Sequence, residues 1–223
     1  MPARASPRCR RPQHAEYPLP LKQGQRSDGS GRAVGLTGGT PSLSPEDALV
    51  MLERMSLLAL VPLSPDAAEE VTRVHLAARA AYYGQPTEQN GAYQPMWRSR
   101  LAEPDRRLTG ASAGGTLVGF SAVQVPSSTP DVVDVADSAP PYPLHLVGLY
   151  VLPGQWGLGI GSLLYGAFEA AWANSAHGRA ELEVWSLNHR ARGFYARRGW
   201  ELDGRTRPAH AGTEYLGMVL RRT

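Results

Sequence analysis

The spacing of apolar residues predicts strands and helices over most of the chain from residue 57 onward. From Ile160 to Trp172 apolar residues recur every three or four positions, which is typical of a helix with one buried face. Polar and apolar residues alternate from Glu181 to Ser186, as they do in a strand with one buried face. The run from Leu144 to Leu152 is apolar almost throughout, so we expect a central strand that is covered on both faces.

Turn and capping residues divide the rest of the chain into elements of the same kinds. Gly114-Gly115 is a hairpin signal between two apolar runs, and Gly199 ends a helix in the position that glycine favours. Strands are predicted over 57–62, 107–113, 116–123, 144–152, 181–186, 200–202 and 214–220, and helices over 64–83, 90–103, 160–173 and 188–198. The expected fold is α/β, with one mixed sheet and helices on both of its faces.

The first 43 residues differ in composition from the rest. They are dense in Pro, Gly, Ser and Arg and hold few large apolar side chains, so we expect a disordered tail ahead of one domain over 44–223. One interpretation is that the natural product starts at Met51 or Met55, directly before the first strand. The opposing interpretation rests on Ser44-Pro45-Glu46-Asp47, which has the cap, the proline and the acids of a helix start.

Charge and cysteine content argue against several classes of protein. The net charge is +3, but residues 1–45 carry +5 and the remaining chain −2, which disfavours a nucleic-acid-binding domain. No apolar run approaches the roughly 20 residues that a membrane-spanning helix needs, so no membrane partner is expected. The single cysteine, Cys9, allows neither an internal disulfide nor a cysteine metal site, and it favours a cytoplasmic location.

A glycine-rich loop before the 160–173 helix carries the first candidate chemistry. Gly157, Gly159 and Gly161 leave backbone N–H groups open to an anion at the start of a helix. A diphosphate fits such a loop best, although a plain strand-to-helix turn would also explain the glycines. The loop lacks the lysine of a P-loop, and its glycine spacing differs from that of dinucleotide-binding folds.

A second motif lies downstream, in the segment Asn188-His189-Arg190-Ala191-Arg192-Gly193-Phe194-Tyr195 and in Gly199-Trp200. Together with Val151-Leu152-Pro153 and the glycine loop, it resembles the acetyl-coenzyme A site of the GNAT superfamily, the GCN5-related N-acetyltransferases. The resemblance spans about residues 56–221. It implies a mixed, mostly antiparallel sheet of six to seven strands. It also implies an enzyme that moves an acetyl group from acetyl-coenzyme A to an amine, with no metal.

The resemblance also assigns residues to the cofactor. The main chain of Leu149, Tyr150 and Val151 would pair with the pantetheine arm like an added strand. Asn188 would hydrogen-bond the pantetheine, or would only cap its helix. The pyrophosphate would be held by Gln155, Trp156, Gly157, Leu158, Gly159, Ile160, Gly161 and Ser162.

Position 156 departs from the family pattern, in which Gln or Arg often precedes the first glycine. Trp156 removes a polar side-chain contact there, but the phosphate contacts of this fold come mainly from main-chain N–H groups. Among the arginines of the second motif, Arg192 is our candidate for the 3′-phosphate of the cofactor. Arg197 and Arg198 are interpreted as a solvated face at the end of the helix.

Two residues are candidates for proton transfer. By resemblance, Tyr195 would be the general acid that protonates the leaving thiolate, the alternative being a half-buried tyrosine of the core. The base that takes the proton of the amine is expected near His145, whose imidazole suits the task. A histidine that only packs on its strand is an equal alternative.

The sequence leaves two acceptor classes, amine-bearing small molecules and peptides. A homodimer is one assembly to expect. Asp131, Asp134 and Asp137 would attract a cationic amine, or would simply be solvated. Acceptor contacts are expected from the loops near 84–95, 126–141 and 204–213. A non-catalytic sensor that binds acyl-coenzyme A with the same fold is the alternative function.

Overall fold

The structure is a computed structural model that describes residues 58–84, 91–126, 142–209 and 212–222. Several predictions fall outside these residues. They concern the tail over 1–43, the helix start at Ser44, the two alternative start positions, Cys9 and the aspartates at 131, 134 and 137.

Within the described residues, seven strands and four helices occur in the predicted order. The strands are β1 (Leu58–Pro62), β2 (Arg106–Ala113), β3 (Thr116–Gln124), β4 (Leu144–Val151), β5 (Arg179–Trp185), β6 (Glu201–Pro208) and β7 (Glu214–Arg221). The helices are α1 (Ala68–Tyr83), α2 (Tyr93–Leu101), α3 (Ile160–Ala173) and α4 (His189–Ala196). Short 3-10 turns over Pro65–Ala67 and Pro153–Gln155 precede α1 and follow β4.

The strands form one sheet in the order β1-β2-β3-β4-β5-β7-β6. Neighbouring strands are antiparallel except β4 and β5, which run parallel. The chain connects this pair through α3, because parallel strands need a crossover that returns the chain to the same end of the sheet. This sheet confirms the expected mixed, mostly antiparallel class.

Helices cover both faces of the sheet, as predicted. On one face α1 and α2 pack against β2 and β3, and Val71, Val74, Trp97 and Phe120 are fully buried there. On the other face α3 packs against β4 and β5, with Phe168 fully buried. Since burying one such side chain is worth about 1.5–3 kcal/mol, these two layers hold the sheet on which the candidate site is built.

The sixth strand is longer than predicted. The sequence pattern predicts its end at Leu202, but β6 continues to Pro208. The pairing with β7 shifts between Leu202 and Thr206, and Gly204 has a φ of 84° in this interval. A bulge of this kind lets a strand continue past a local turn signal, because pairing resumes beyond it.

Candidate active site

The strands β4 and β5 pair only at their first residues and then diverge. Leu144 pairs with Ala180 and His145 with Glu181, and the described pairing ends there. On its other side β4 has a bulge at Val147 in its pairing with β3. A bulge bends the strand that carries it, so β4 turns away from β5 and the sheet opens into a fork.

A cleft of about 100 Å³ occupies this fork. Its lining residues are Leu146, Val147, Gly148, Leu149 and Tyr150 of β4, Glu183, Val184 and Trp185 of β5, Arg79 and Tyr82 of α1, Ala191 and Tyr195 of α4, Arg207 of β6 and Tyr215 of β7. No described strand pairs with the β5-facing edge of β4 beyond His145, so backbone groups along this edge face the cleft.

The glycine loop lies where β4 ends, at the open end of the fork. Gly157 has a φ of 88° and Gly159 a φ of 79°, which are left-handed conformations that residues with a Cβ rarely adopt. A Cβ on either residue would meet no atom within 4 Å, so the loop presents bare backbone to open space. Gly159 is also the N-cap of α3, and the first N–H groups of a helix have no partner inside it. The loop therefore has the geometry of an anion site.

Trp156 contacts both the end of β4 and the helix α4. Its indole N–H donates a hydrogen bond of 2.8 Å to the carbonyl oxygen of Val151, and the Arg190 guanidinium lies 5.0 Å from the centre of the indole rings. This hydrogen bond holds the loop against the end of β4. The loss of a side-chain contact to the phosphate at this position stays a prediction.

The start of α4 is organised by two side chains. The Asn188 side chain accepts a hydrogen bond of 3.0 Å from the N–H of Ala191, so the predicted helix cap forms. Arg192 donates to the carbonyl oxygen of Ser186 at 2.9 Å, which closes the turn between β5 and α4. A role of either side chain in cofactor binding stays a prediction.

Tyr195 lies at the floor of the cleft and is 8% exposed. Its ring packs against Phe194 and Trp200, with ring centres 5.3 and 6.0 Å apart, and the Trp200 indole N–H donates to the Tyr165 hydroxyl at 2.9 Å. Burial raises the pKa of Tyr195, Tyr165 raises it further, and the Arg198 guanidinium lowers it in part. The hydroxyl is therefore protonated at neutral pH. Tyr195 also belongs to the buried core cluster with Tyr165 and Trp200, and its role as the acid stays a prediction.

His145 is half-buried at the closed end of the fork, opposite Gln124 on β3 and Glu181 on β5. It is not among the residues that line the cleft. Its role as a base stays a prediction. The carboxylate that does line the cleft is that of Glu183, which accepts two hydrogen bonds from Arg207, at 3.0 and 2.6 Å.

An aromatic wall on the side of α1, β5 and β7 was not predicted from the sequence. Trp185 lies 4.7 Å from the ring of Tyr83 and 6.0 Å from that of Tyr82, and the hydroxyls of Tyr83 and Tyr215 are hydrogen-bonded. The Arg79 guanidinium lies 5.0 Å from the centre of the Tyr83 ring. The only local signal was the Tyr82-Tyr83 pair, since the other members come from distant segments.

His75 is fully buried behind the cleft. Its ring makes edge contacts with Tyr150, Tyr93 and Trp97, at 4.8, 5.2 and 5.3 Å between centres. Burial lowers the pKa of His75 well below its usual range, and the guanidinium groups of Arg79 and Arg100 lower it further. The ring is therefore neutral at physiological pH and supports Tyr150 from behind.

The described residues contain no group of three or more His, Cys, Asp or Glu side chains placed to hold a metal ion. Among the same residues, no helix has the length and apolar character that crossing a membrane requires.

A sequence profile of the acetyltransferase (GNAT) family matches residues 71–200, which is more than half of the chain. No curated protein matches the chain in sequence.

Several solved structures share the fold. The PaiA N-acetyltransferase of Thermoplasma acidophilum, in complex with coenzyme A, is 16% identical over 74% of this chain and 99% of its own, with a TM-score of 0.52. The ribosomal-protein-S18-alanine N-acetyltransferase of Escherichia coli is 17% identical over 74% of this chain and 93% of its own, with a TM-score of 0.56. An acetyltransferase of Thermus thermophilus is 20% identical over 74% of this chain and 97% of its own, with a TM-score of 0.54.

Proposed function

Because the chain belongs to the GNAT family of acetyltransferases, we propose that it transfers an acetyl group from acetyl-coenzyme A to an amine. One observation supports the proposal: Tyr195 lines the fork between β4 and β5, and the bare-backbone glycine loop follows β4 where that strand ends. In this proposal the glycine loop binds the pyrophosphate of acetyl-coenzyme A. Tyr195 donates a proton to the sulphur of its thioester.

The fork suggests how the cofactor binds. The pantetheine arm is proposed to lie along the β5-facing edge of β4 at Leu149, Tyr150 and Val151, like an added strand. The pyrophosphate lies on the loop from Gln155 to Ser162, at the start of α3. Asn188 and Arg192 at the start of α4 face the opposite side of the arm.

The reaction needs no covalent intermediate with the protein. The amine nitrogen attacks the thioester carbon, a C–N bond forms, and the C–S bond breaks with release of the thiolate. Tyr195 donates its proton to the sulphur and regains one from solvent, while a base takes a proton from the amine. His145 is our candidate for that base, and Glu183 is a second one because its carboxylate lines the cleft.

The acceptor is proposed to bind against the three members of the aromatic wall that line the cleft, Tyr82, Trp185 and Tyr215. Amine-bearing small molecules and peptides are both candidates. The Escherichia coli neighbour is named for acetylation of an alanine of a ribosomal protein, which makes peptide N-termini one class to test.

Calorimetric titration of the full chain with acetyl-coenzyme A tests the binding step. Gly159→Ala is expected to weaken binding, because the new Cβ strains a left-handed residue and projects into the anion site. Gly154→Ala is the matched control, since it lies in the same loop without a positive φ and has open space around it. Equal affinities of the two variants would contradict the proposed site.

Release of free thiol in the presence of a panel of amines tests the transfer step. The panel should contain small amines, polyamines, amino acids and short peptides with free N-termini. Thiol release that depends on one of these classes supports the enzyme. Tight binding of acetyl-coenzyme A without release on any amine would favour the non-catalytic sensor instead.

A further inference from the structure

Arg198 follows α4 and turns back onto α3. Its guanidinium donates to the carbonyl oxygen of Phe194 at 3.1 Å and to the hydroxyl of Ser162 at 2.8 Å. The same group lies 3.6 Å from the centre of the Phe194 ring and 5.0 Å from that of Tyr165. These contacts contradict the interpretation of Arg198 as a solvated arginine at the end of a helix.

The two ends of this bridge belong to different parts of the proposed site. Ser162 lies in the first turn of α3, beside the N–H groups proposed to hold the pyrophosphate. Phe194 directly precedes Tyr195, the proposed proton donor, on α4. One side chain therefore joins the cofactor loop to the helix that carries the acid.

The chemistry of arginine suits this bridge. A planar guanidinium can stack on the Phe194 ring and still direct separate N–H groups to two acceptors. A lysine ammonium has no flat face and is more strongly hydrated, so it can replace only part of these contacts. The guanidinium also places a positive charge beside the start of α3, where an anion is expected.

We infer that Arg198 is a positioning residue that holds the first turn of α3 against α4. It thereby fixes the position of the glycine loop relative to Tyr195. The ligand in this inference, acetyl-coenzyme A, rests on the proposed function. The contact between Arg198 and Ser162 is present in the structure whatever the ligand is. The positive charge of Arg198 also lowers the pKa of Tyr195 in part, which favours proton donation.

The test compares Arg198→Met, Arg198→Lys and the control Arg197→Met. Arg197 is the adjacent arginine and is exposed, so its loss removes an equal charge from the same helix end. Arg198→Met is expected to weaken binding of acetyl-coenzyme A about fivefold, the scale of a partly screened hydrogen bond from a charged group. Arg198→Lys should recover only part of this loss, and Arg197→Met should bind like the parent.

A double-mutant cycle with Ser162→Ala separates positioning from general charge. If Arg198 acts through the Ser162 hydroxyl, amide exchange at residues 160–163 of the ligand-free combined variant should be no faster than in Arg198→Met alone. Exchange is the readout because Ser162 itself lies in the proposed pyrophosphate loop. Effects that add would overturn this route, because the two residues would then act independently.

Amide hydrogen exchange in the ligand-free protein provides a readout that needs no cofactor. Arg198→Met should speed exchange at residues 160–163, at the start of α3, while Arg197→Met should not. Equal exchange and equal affinity in these two variants would overturn the inference. If the parent chain fails to bind acetyl-coenzyme A, the proposed function fails, and the exchange data still decide whether Arg198 holds the helix start.

Discussion

The indole N–H of Trp156 donates a hydrogen bond of 2.8 Å to the main-chain carbonyl oxygen of Val151. The residue before the first glycine of the loop is thereby tied to the last residue of β4. The stacked guanidinium of Arg190 adds a contact from α4. One tryptophan thus links the loop to both β4 and α4.

Replacing Trp156 by phenylalanine should weaken binding of acetyl-coenzyme A about fivefold. The ring that Arg190 covers is kept, but the donor to Val151 is lost, and such a hydrogen bond is worth about 1 kcal/mol. Calorimetric titration measures the change.

Trp172→Phe is the matched control for this prediction. The Trp172 indole N–H also donates at 2.8 Å to a carbonyl oxygen, that of His177, at the far end of α3 from the loop. Its loss should lower stability without changing affinity. A Trp156→Phe variant that binds as tightly as Trp172→Phe would refute a role for the indole in shaping the loop.

Tyr195→Phe should lower the turnover number about a hundredfold or more, the usual contribution of a general acid, with little change in acetyl-coenzyme A affinity. The phenyl ring keeps the packing against Phe194 and Trp200, while the proton donor is lost. Steady-state kinetics with an accepted amine, together with calorimetry, separate the two effects.

Tyr165→Phe serves as the control for Tyr195. It removes the hydroxyl that accepts from the Trp200 indole N–H, in the core beside Tyr195. We expect a loss of stability of about 1–3 kcal/mol, because a buried donor is left unsatisfied, with turnover kept. Equal turnover in Tyr195→Phe and the parent would end the assignment of the acid.

His75 should make the fold less stable in mild acid. Its folded-state pKa lies well below the usual value, so below about pH 6.5 the unfolded chain binds a proton that the folded chain excludes. The contribution is therefore present above that pH and is lost as the pH falls. Between pH 6.5 and 5.0 the free energy of unfolding should drop further in the parent than in His75→Leu, by at most about 1.4 kcal/mol per pH unit.

Urea unfolding of the parent and of His75→Leu at pH 7.5 and 5.0 measures this difference. Leucine removes the titrating group and keeps an apolar side chain among the surrounding rings. The same pH dependence in both proteins would show that the acid sensitivity comes from other groups.

Two glycine-to-alanine changes should shift stability in opposite directions. A Cβ on Gly217 would overlap the Asp203 carboxylate, which holds the Arg205 guanidinium, so Gly217→Ala should cost about 1–3 kcal/mol. Gly166 lies inside α3 with open space around it, so Gly166→Ala should add up to about 1 kcal/mol. Urea unfolding of both variants tests the pair, and the same sign for both would contradict this account.

The order of the elements and the family could be predicted from the sequence because their signals are local. The helical spacing after Ile160 and the alternation after Glu181 each reflect one buried face, and both elements form where predicted. The cap at Asn188 forms for the same reason, since it involves a residue only three positions away. The end of β6 was predicted wrongly, because its continuation to Pro208 depends on pairing with β7.

The cleft itself was decided by the tertiary structure. Glu183 had the neighbours of a core strand, and only the divergence of β4 and β5 places it on the cleft beside Arg207. Arg198 was interpreted as solvated, yet the packing of α4 on α3 brings it to Ser162, 36 positions away.

By itself, the sequence determined the elements, the glycine loop and the tyrosine on α4, since each depends on periodicity or on neighbouring residues. Only the tertiary structure decided which side chains share the cleft with that tyrosine. The reason is physical: such contacts join segments that are far apart in the chain, and strand register, bulges and helix packing bring those segments together.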